Sequence, residues 1–141
     1  MAGLASKFKG KAEFLFVYCR EAHPEGDKRF NTKTKGGKAI GQAASMEERL
    51  AIAKAFCEDL KAERTILVDE FNQKSVQRAY GGLPNPTVVV DVDGKIAMKM
   101  AWTNGQAVES YLKEFLKGGG KVDRALAEKV PQGRPMIPNN R

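Results

Sequence analysis

Six successive uncharged residues, Phe14-Leu-Phe-Val-Tyr-Cys19, indicate the type of sheet that this chain forms. A strand with apolar side chains on both faces is typical of a parallel sheet, because helices cover each face of such a sheet. A second short apolar run occupies residues 65–69. The sequence therefore predicts two parallel neighbouring strands joined by a right-handed helical crossover.

Helix signals follow both apolar runs. Ser45-Met-Glu-Glu48 has the pattern of a capping box and predicts a helix to about residue 62. Asn72 is expected to cap a short helix, and Asn104 a longer one. The side chains expected on the buried faces of the long helices are Leu50, Ala53, Phe56, Cys57, Leu60, Val108, Tyr111, Leu112, Phe115 and Leu116. A weaker helix is expected at residues 3–11, with Leu4 and Phe8 on one face.

A β-hairpin is predicted for residues 86–100, where two apolar runs flank Asp93-Gly94. This pair supplies the positive φ angles of a tight turn. In the second strand Ile96, Met98 and Met100 alternate with more polar positions, so one face is expected to be exposed. Between the first strand and the capping box, residues 20–44 show no periodicity and predict a long loop.

The chain of 141 residues has the length of a single domain. We expect this domain to cover residues 1–117, followed by a basic helix and an extended tail at residues 118–141. The two cysteines, Cys19 and Cys57, have neither CxxC nor metal-ligand spacing. No cofactor or metal is predicted, and a reduced, cytoplasmic protein is expected.

The formal net charge of +7 is concentrated at the two ends of the chain. Residues 1–38 carry nine Lys and Arg against four acidic residues, and residues 117–141 carry six against two. Such a balance permits weak binding to polyanions. Solvated lysines are the simpler interpretation, so we expect no specific nucleic-acid partner and no membrane partner.

The order of these elements resembles a thioredoxin-like domain, and the motifs are similar to those of the iodothyronine deiodinase family and its bacterial relatives. The run Phe14-Leu-Phe-Val-Tyr-Cys-Arg-Glu-Ala-His-Pro24 resembles the family's F-L-x-V-Y-I-x-E-A-H-P signature. Further similar pieces are Glu47-Glu-Arg-Leu50, Val68-Asp69, Val76-Gln-Arg-Ala-Tyr-Gly81 and Asp93-Gly-Lys-Ile96. The resemblance covers residues 8–116.

This resemblance implies a thioredoxin-like α/β fold, with a mixed sheet flanked by helices and the first strand missing. In the family a selenocysteine or cysteine at the end of that strand is the nucleophile, because the ionised chalcogen attacks. Its position would fall before Met1. We therefore expect a deiodinase-like oxidoreductase that acts by thiol- or selenol-based reduction, including reductive dehalogenation, but is inactive without the nucleophile segment. The alternative is a non-catalytic thioredoxin-like module that binds a partner through residues 20–44 and the basic tail.

His23 is the only histidine of the chain and the first candidate catalytic residue. It follows a buried strand at the sheet edge where open α/β sheets bind ligands, and histidine exchanges protons near neutral pH. Glu21 is close enough to orient it. The alternative is an exposed pair that only starts the turn at Pro24. Cys19 is a weak candidate nucleophile, since strand alternation places it with core residues and predicts a buried, inert thiol.

Two further residues are candidates for substrate binding. Asn85-Pro86-Thr87 looks like the thioredoxin cis-proline position, so the resemblance implies that Pro86 contacts extended substrates. Trp102 could stack on a flat ligand or simply cover a sheet edge. Trp102 occupies nearly the position at which the family has the arginine of its G-G-R-G-P motif. The family also has a second histidine just before the next helix, where this chain has Gln42-Ala-Ala-Ser45. Both departures count against iodothyronine and leave a different small molecule or a protein thiol as the expected substrate.

The missing first strand would lie between residues 14–19 and residues 87–92. Both neighbours would then carry unpaired backbone groups, which are costly when buried. We expect these two strands to pair directly, in antiparallel orientation, or a second copy of the chain to supply the pairing in a homodimer.

Overall fold

The computed structural model describes residues 2–28, 33–34, 37–60, 65–73, 75–81 and 85–133, and in this part both helices and strands are present. The elements in chain order are α1 (Ala2–Lys7), β1 (Phe16–Tyr18), α2 (Met46–Leu60), β2 (Ile66–Val68), α3 (Ser75–Tyr80), β3 (Thr87–Val90), β4 (Ile96–Met100), α4 (Gly105–Lys117) and α5 (Arg124–Glu128). The protein is therefore of the α/β type. No helix among these residues is both long enough and apolar enough to cross a bilayer.

The chain divides into two compact units, residues 2–79 and the part from residue 80 onward, and each is described by itself. The strands form two separate two-stranded sheets, so the single mixed sheet and the expected direct pairing of β1 with β3 are both wrong for the described strands. The strand partners are β2 for β1 and β4 for β3. The thioredoxin-like arrangement and the homodimer stay predictions.

In the first unit β1 and β2 are parallel neighbours, with Phe16 opposite Ile66 and Tyr18 opposite Val68. This pairing confirms the prediction made from the two apolar runs. The helix between the strands, α2, packs against β2. It begins after Ser45, whose hydroxyl accepts the Glu48 N–H at 3.1 Å, as in the predicted capping box. Residues 61–64, where the helix was expected to end, lie outside the described residues.

The expectation that the first strand is buried on both faces is wrong. Leu15 is 56% exposed, and Phe16 and Leu67 are also exposed. Leu50 is exposed too, although the sequence places it on the buried face of α2, where Ala53 is buried. Within the described part of this unit, α2 is the element that packs substantially on the two-stranded sheet. A single helix covers too little surface to bury both faces.

Two smaller helices of the first unit are present as predicted, but the cap expected for the second one is wrong. Leu4 on α1 and Phe8 directly after it are both buried, and the rings of Phe8 and Phe14 stack at 6.4 Å. At α3 the Val76 N–H is donated to Asp69 Oδ1 at 3.3 Å. The expected cap, Asn72, instead lies in the preceding turn with a φ of 64°. Asp69 thus takes part in holding the start of α3.

The second unit contains the predicted β3–β4 hairpin and helix α4, which contacts β4. Val89 lies opposite Met98 and Val90 opposite Ile96, so Ala97 is an extra residue in β4. Such a bulge shifts the alternation of side chains by one position. As a result Ala97 and Met98 are both buried, while Ile96 is exposed, which corrects the simple alternation expected from the sequence.

The hairpin turn runs from Asp91 to Gly94, and the Gly94 N–H donates to the Asp91 carbonyl at 3.1 Å. Gly94 has a φ of 78°, and it alone in this turn has a positive φ, whereas both Asp93 and Gly94 were expected to have one. A turn closed by a left-handed glycine is the common three-residue hairpin connection. The Asp91 carboxylate accepts the N–H groups of Asp93 and Lys95, each at 2.9 Å.

Helix α4 forms as the sequence predicts. The Asn104 side chain accepts the N–H groups of Gln106 and Ala107, at 3.0 and 3.2 Å. Four of the predicted side chains are buried: Val108, Tyr111, Leu112 and Phe115. The Tyr111 hydroxyl donates to the Ala97 carbonyl at 3.0 Å, and burial of the ring raises the Tyr111 pKa. This contact joins α4 to the bulge in β4.

The segment after α4 continues to pack on the hairpin. The predicted short helix is α5, which lies against α4 and β4, and Val130 after it is buried. The Gln132 side-chain amide donates to the Lys99 carbonyl at 2.9 Å, and its oxygen accepts the Ala101 N–H at 3.2 Å. Gln132 therefore pairs with β4 as a neighbouring strand would. The remainder of the predicted tail, residues 134–141, lies outside the described residues.

Asp91 is expected to make the second unit sensitive to acid. Hydrogen bonding from the Lys95 amide, with help from the amides of Asp93 and Val122, holds the Asp91 pKa below its ordinary value. A lowered folded-state pKa gives stability that is present above the unfolded-state pKa, near 4, and is lost as the pH falls through the folded-state value. Asp91→Asn should flatten the fall in stability below about pH 4.

Thermal unfolding followed by circular dichroism between about pH 2 and pH 7 checks the Asp91 effect. Asp93→Asn is the matched control, because the Asp93 carboxylate is exposed and contacts only Lys121, at 3.6 Å, among the ion pairs described. An acid transition of unchanged size in Asp91→Asn would contradict this prediction.

Candidate functional site at the carboxyl ends of the parallel strands

The two parallel strands end at the same edge, and polar side chains follow each of them. Cys19 comes directly after β1 and Asp69 directly after β2, and the Asp69 N–H donates to the Tyr18 carbonyl at 2.9 Å. In open α/β sheets ligands bind beyond the carboxyl ends of the strands. The residues gathered here are therefore the natural candidates for a site in this unit.

His23 contacts a carboxylate that the sequence analysis did not select. Its Nδ1 lies 3.2 Å from Asp27 Oδ2, and the His23 side chain is 49% exposed. Glu21 Oε1 accepts the backbone N–H of His23 at 3.2 Å, so Glu21 orients the main chain at this position. A ring that donates through Nδ1 to Asp27 presents Nε2 as the second proton-exchanging atom.

A tight turn brings Asp27 back to the histidine. The Asp27 N–H donates to the Pro24 carbonyl at 3.0 Å, and Gly26 occupies the third turn position with a φ of 90°. This position of a type II turn favours glycine. The pattern Pro24-Glu-Gly-Asp27 is thus the sequence signal from which the partner of His23 could have been found.

The long loop after β1 folds back on itself close to this turn. The Glu25 N–H donates to the Ile40 carbonyl at 2.8 Å, and the Gln42 side chain donates to the Glu21 carbonyl. Lys33 and Ala39 form an isolated antiparallel bridge farther along the loop. The described parts of residues 20–44 therefore have defined contacts, and these fix the main chain on both sides of His23.

Arg49 on α2 binds the main chain that follows β2. Its Nη1 donates to the carbonyls of Asp69 and Glu70, both at 2.9 Å, and its guanidinium lies 5.1 Å from the centre of the Phe71 ring. Arg49 Nε is buried and has no hydrogen-bond partner among the described residues. The Glu47-Glu-Arg-Leu50 motif thus contributes a cation that fixes the chain after β2.

Cys19 lies next to a buried carboxylate. Burial, then the negative charge of Asp69, raises the pKa of the Cys19 thiol, although Arg49 acts in the opposite direction. The Cys19 Sγ is also 3.9 Å from the Val17 carbonyl. A raised pKa leaves little thiolate near neutral pH, which is the wrong setting for a nucleophile. Burial and the Glu21 charge similarly raise the pKa of Tyr18 to about 12.

The two residues expected to bind substrate, Pro86 and Trp102, belong to the second unit. Asn85 and Trp102 form an isolated parallel bridge, so the segment that carries Pro86 runs beside Trp102. The Thr103 N–H donates to the Asn85 carbonyl at 3.0 Å, and the hydroxyls of Thr87 and Thr103 lie 2.8 Å apart. Pro86 and Trp102 are both half-buried. The structure therefore brings these two residues together, as it does His23 and Glu21 in the first unit.

The chemistry that the described residues beside β1 support is proton exchange. Across the described ranges, no group of three or more His, Cys, Asp or Glu side chains is arranged to hold a metal ion. His23 and Asp27 form a half-exposed pair that can give a proton to a ligand or take one from it.

No family model matches the chain, and no curated protein matches it.

Proposed function

We propose that this chain is a deiodinase-like oxidoreductase of thioredoxin-like type, and that it supplies the proton-handling part of the reaction. The observation that carries the proposal is the contact of His23 Nδ1 with Asp27 at the carboxyl ends of two parallel strands. The signature residue Pro24 opens the turn to Asp27 that creates this contact, and the signature residue Glu21 accepts the backbone N–H of His23. The motif on which the resemblance rests thus has a local structure suited to acid–base chemistry.

In the proposed reaction, a selenolate or thiolate from a segment outside this chain attacks the halogen of an aryl halide. The carbon–halogen bond breaks, the halogen leaves with the chalcogen, and the carbon keeps the electron pair. His23 Nε2 donates the proton that this carbon takes up. A dithiol then reduces the chalcogen–halogen bond, which releases halide and leaves a disulfide. Cys19 is not assigned as the nucleophile, because its thiol has a raised pKa.

The test joins a strand–Cys–helix segment to the start of the chain and measures iodide release from an aryl iodide, with dithiothreitol as the dithiol. His23→Ala is expected to lower turnover by about 10²-fold, the usual effect of losing a general acid. Asp27→Asn should give a smaller loss and a shifted pH profile, because the ring partner is changed. Glu25→Gln, an exposed neighbour, is the matched control.

If His23→Ala turns over as fast as the joined parent, His23 has no role as a general acid and serves only in the local structure. A joined chain that is folded by circular dichroism but releases no iodide would favour the second function, a non-catalytic thioredoxin-like module that binds a partner through residues 20–44 and the basic tail. The contacts within the loop are the observation that supports this alternative, because the bond from the Glu25 N–H to the Ile40 carbonyl, at 2.8 Å, helps to give the described part of residues 20–44 a defined surface.

A further inference from the structure

A shallow groove of about 510 Å³ runs between β4 and α5 in the second unit. Its apolar lining residues are Ile96, Ala97, Met98, Val122 and Ala127, of which Ile96 and Val122 supply the exposed apolar surface. Ile96 is 44% exposed and Val122 41% exposed, although both are branched aliphatic residues. The bulge at Ala97 is the reason that Ile96 faces outward, so the groove owes its apolar character to an irregularity of the strand.

Cations line the same groove. Lys95, Lys99 and Arg124 are its charged residues, and no acidic side chain lines it. Among the described residues, none of the three forms an ion pair within 4 Å, although the charge of Lys95 also acts on Asp91. An apolar surface flanked by cations without direct counter-charges is complementary to a ligand with acidic and aliphatic groups in alternation.

The carboxylates close to the groove already have partners. Asp91 accepts hydrogen bonds from backbone amides, Asp93 pairs with Lys121, and the Asp123 side chain accepts the Leu126 N–H at 3.1 Å. These carboxylates stand around the hairpin turn and the start of α5, where they would be repelled by an anionic bilayer. The charge distribution therefore favours a narrow acidic ligand over a lipid surface.

We propose that the groove between β4 and α5 is a docking site for an acidic peptide segment of a partner protein. An aliphatic side chain of the peptide lies against Ile96 and Val122, and glutamate or aspartate side chains on either side reach Lys99 and Arg124. This inference is independent of the function proposed for the His23 site, because all of the residues involved belong to the second unit.

The test measures fluorescence polarisation of a labelled short peptide of alternating glutamate and leucine, titrated with the full chain. We expect saturable binding that weakens as salt rises above about 0.1 M, where exposed charges are screened. The double variant Lys99→Gln/Arg124→Gln should bind about tenfold more weakly. Ile96→Ser and Val122→Ser should each weaken binding as well, with circular dichroism to show that both remain folded.

The double variant Lys113→Gln/Lys117→Gln, at exposed positions of α4, removes the same two positive charges outside the groove and should leave the affinity unchanged. A peptide of alternating glutamate and serine tests the apolar surface and should bind more weakly. Absence of saturable binding, equal affinity for the two peptides, or full affinity in the double variant would overturn the proposal. It would also be overturned if phosphatidylserine vesicles bound with the same dependence on Lys99 and Ile96, because the groove would then serve a lipid surface.

Discussion

Replacing Met100 with alanine is expected to lower the free energy of unfolding of the second unit by about 3 kcal/mol. Met100 is 0% exposed, and it shares the centre of the core with Met98 and Val108, which are also fully buried. The substitution removes the side-chain contacts and leaves a cavity that the hairpin and α4 cannot fill completely. It also removes the thioether sulfur that accepts the Asn104 N–H at 3.2 Å, at the start of α4.

Urea unfolding followed by circular dichroism measures the Met100 effect. Met100→Leu keeps most of the volume and should cost less than about 1.5 kcal/mol. Lys99→Ala, at the exposed neighbouring position, should change stability by about 0.5 kcal/mol or less. A loss below about 1 kcal/mol in Met100→Ala would show that this core tolerates the cavity.

Asp69→Ala is expected to destabilise the first unit by about 3 kcal/mol. Asp69 is buried, and its carboxylate accepts the N–H groups of Glu70 and Val76, at 3.0 and 3.3 Å. Alanine leaves both donors without this acceptor at the end of β2 and the start of α3. Asp69→Asn keeps one oxygen acceptor, so its cost should be smaller.

The Asp69 variants also have a chemical readout at Cys19. The Asp69 charge contributes to the raised Cys19 pKa, so its removal should lower that pKa and increase the thiolate fraction. In a Cys57→Ser background, iodoacetamide should then alkylate Cys19 faster near pH 8 in Asp69→Asn than in the parent. Equal rates, with the protein shown to be folded, would contradict the described coupling between the two side chains.

The elements that the sequence predicts well are those with strong local signals. The Asn104 cap and the apolar spacing of α4 are contained in a short stretch of chain, and the structure shows both. The parallel pairing of β1 with β2 also follows from two apolar runs and the intervening helix. In each case the local pattern and the packing lead to the same arrangement.

Other features depend on contacts that a pattern does not contain. The extra residue at Ala97 breaks the alternation of β4, and nothing in the apolar pattern indicates where a strand gains a residue. The burial of Phe16 and Leu50 was overestimated because it depends on how many elements cover the sheet. At the candidate site, His23 and Glu21 were found from the motif, whereas Asp27 becomes a partner only through the turn at Gly26.

The pairing of Gln132 with β4 has a consequence for self-association. An edge strand with open carbonyl and amide groups is a template on which another chain can add a strand, and this is a common start of aggregation. Here the Gln132 side chain occupies the Lys99 carbonyl and the Ala101 amide, and α5 lies along the same strand. The residues after α5 thus cover the backbone groups at the edge of β4. A protein shortened before Gln132 would expose that edge to strand pairing with other copies of the chain.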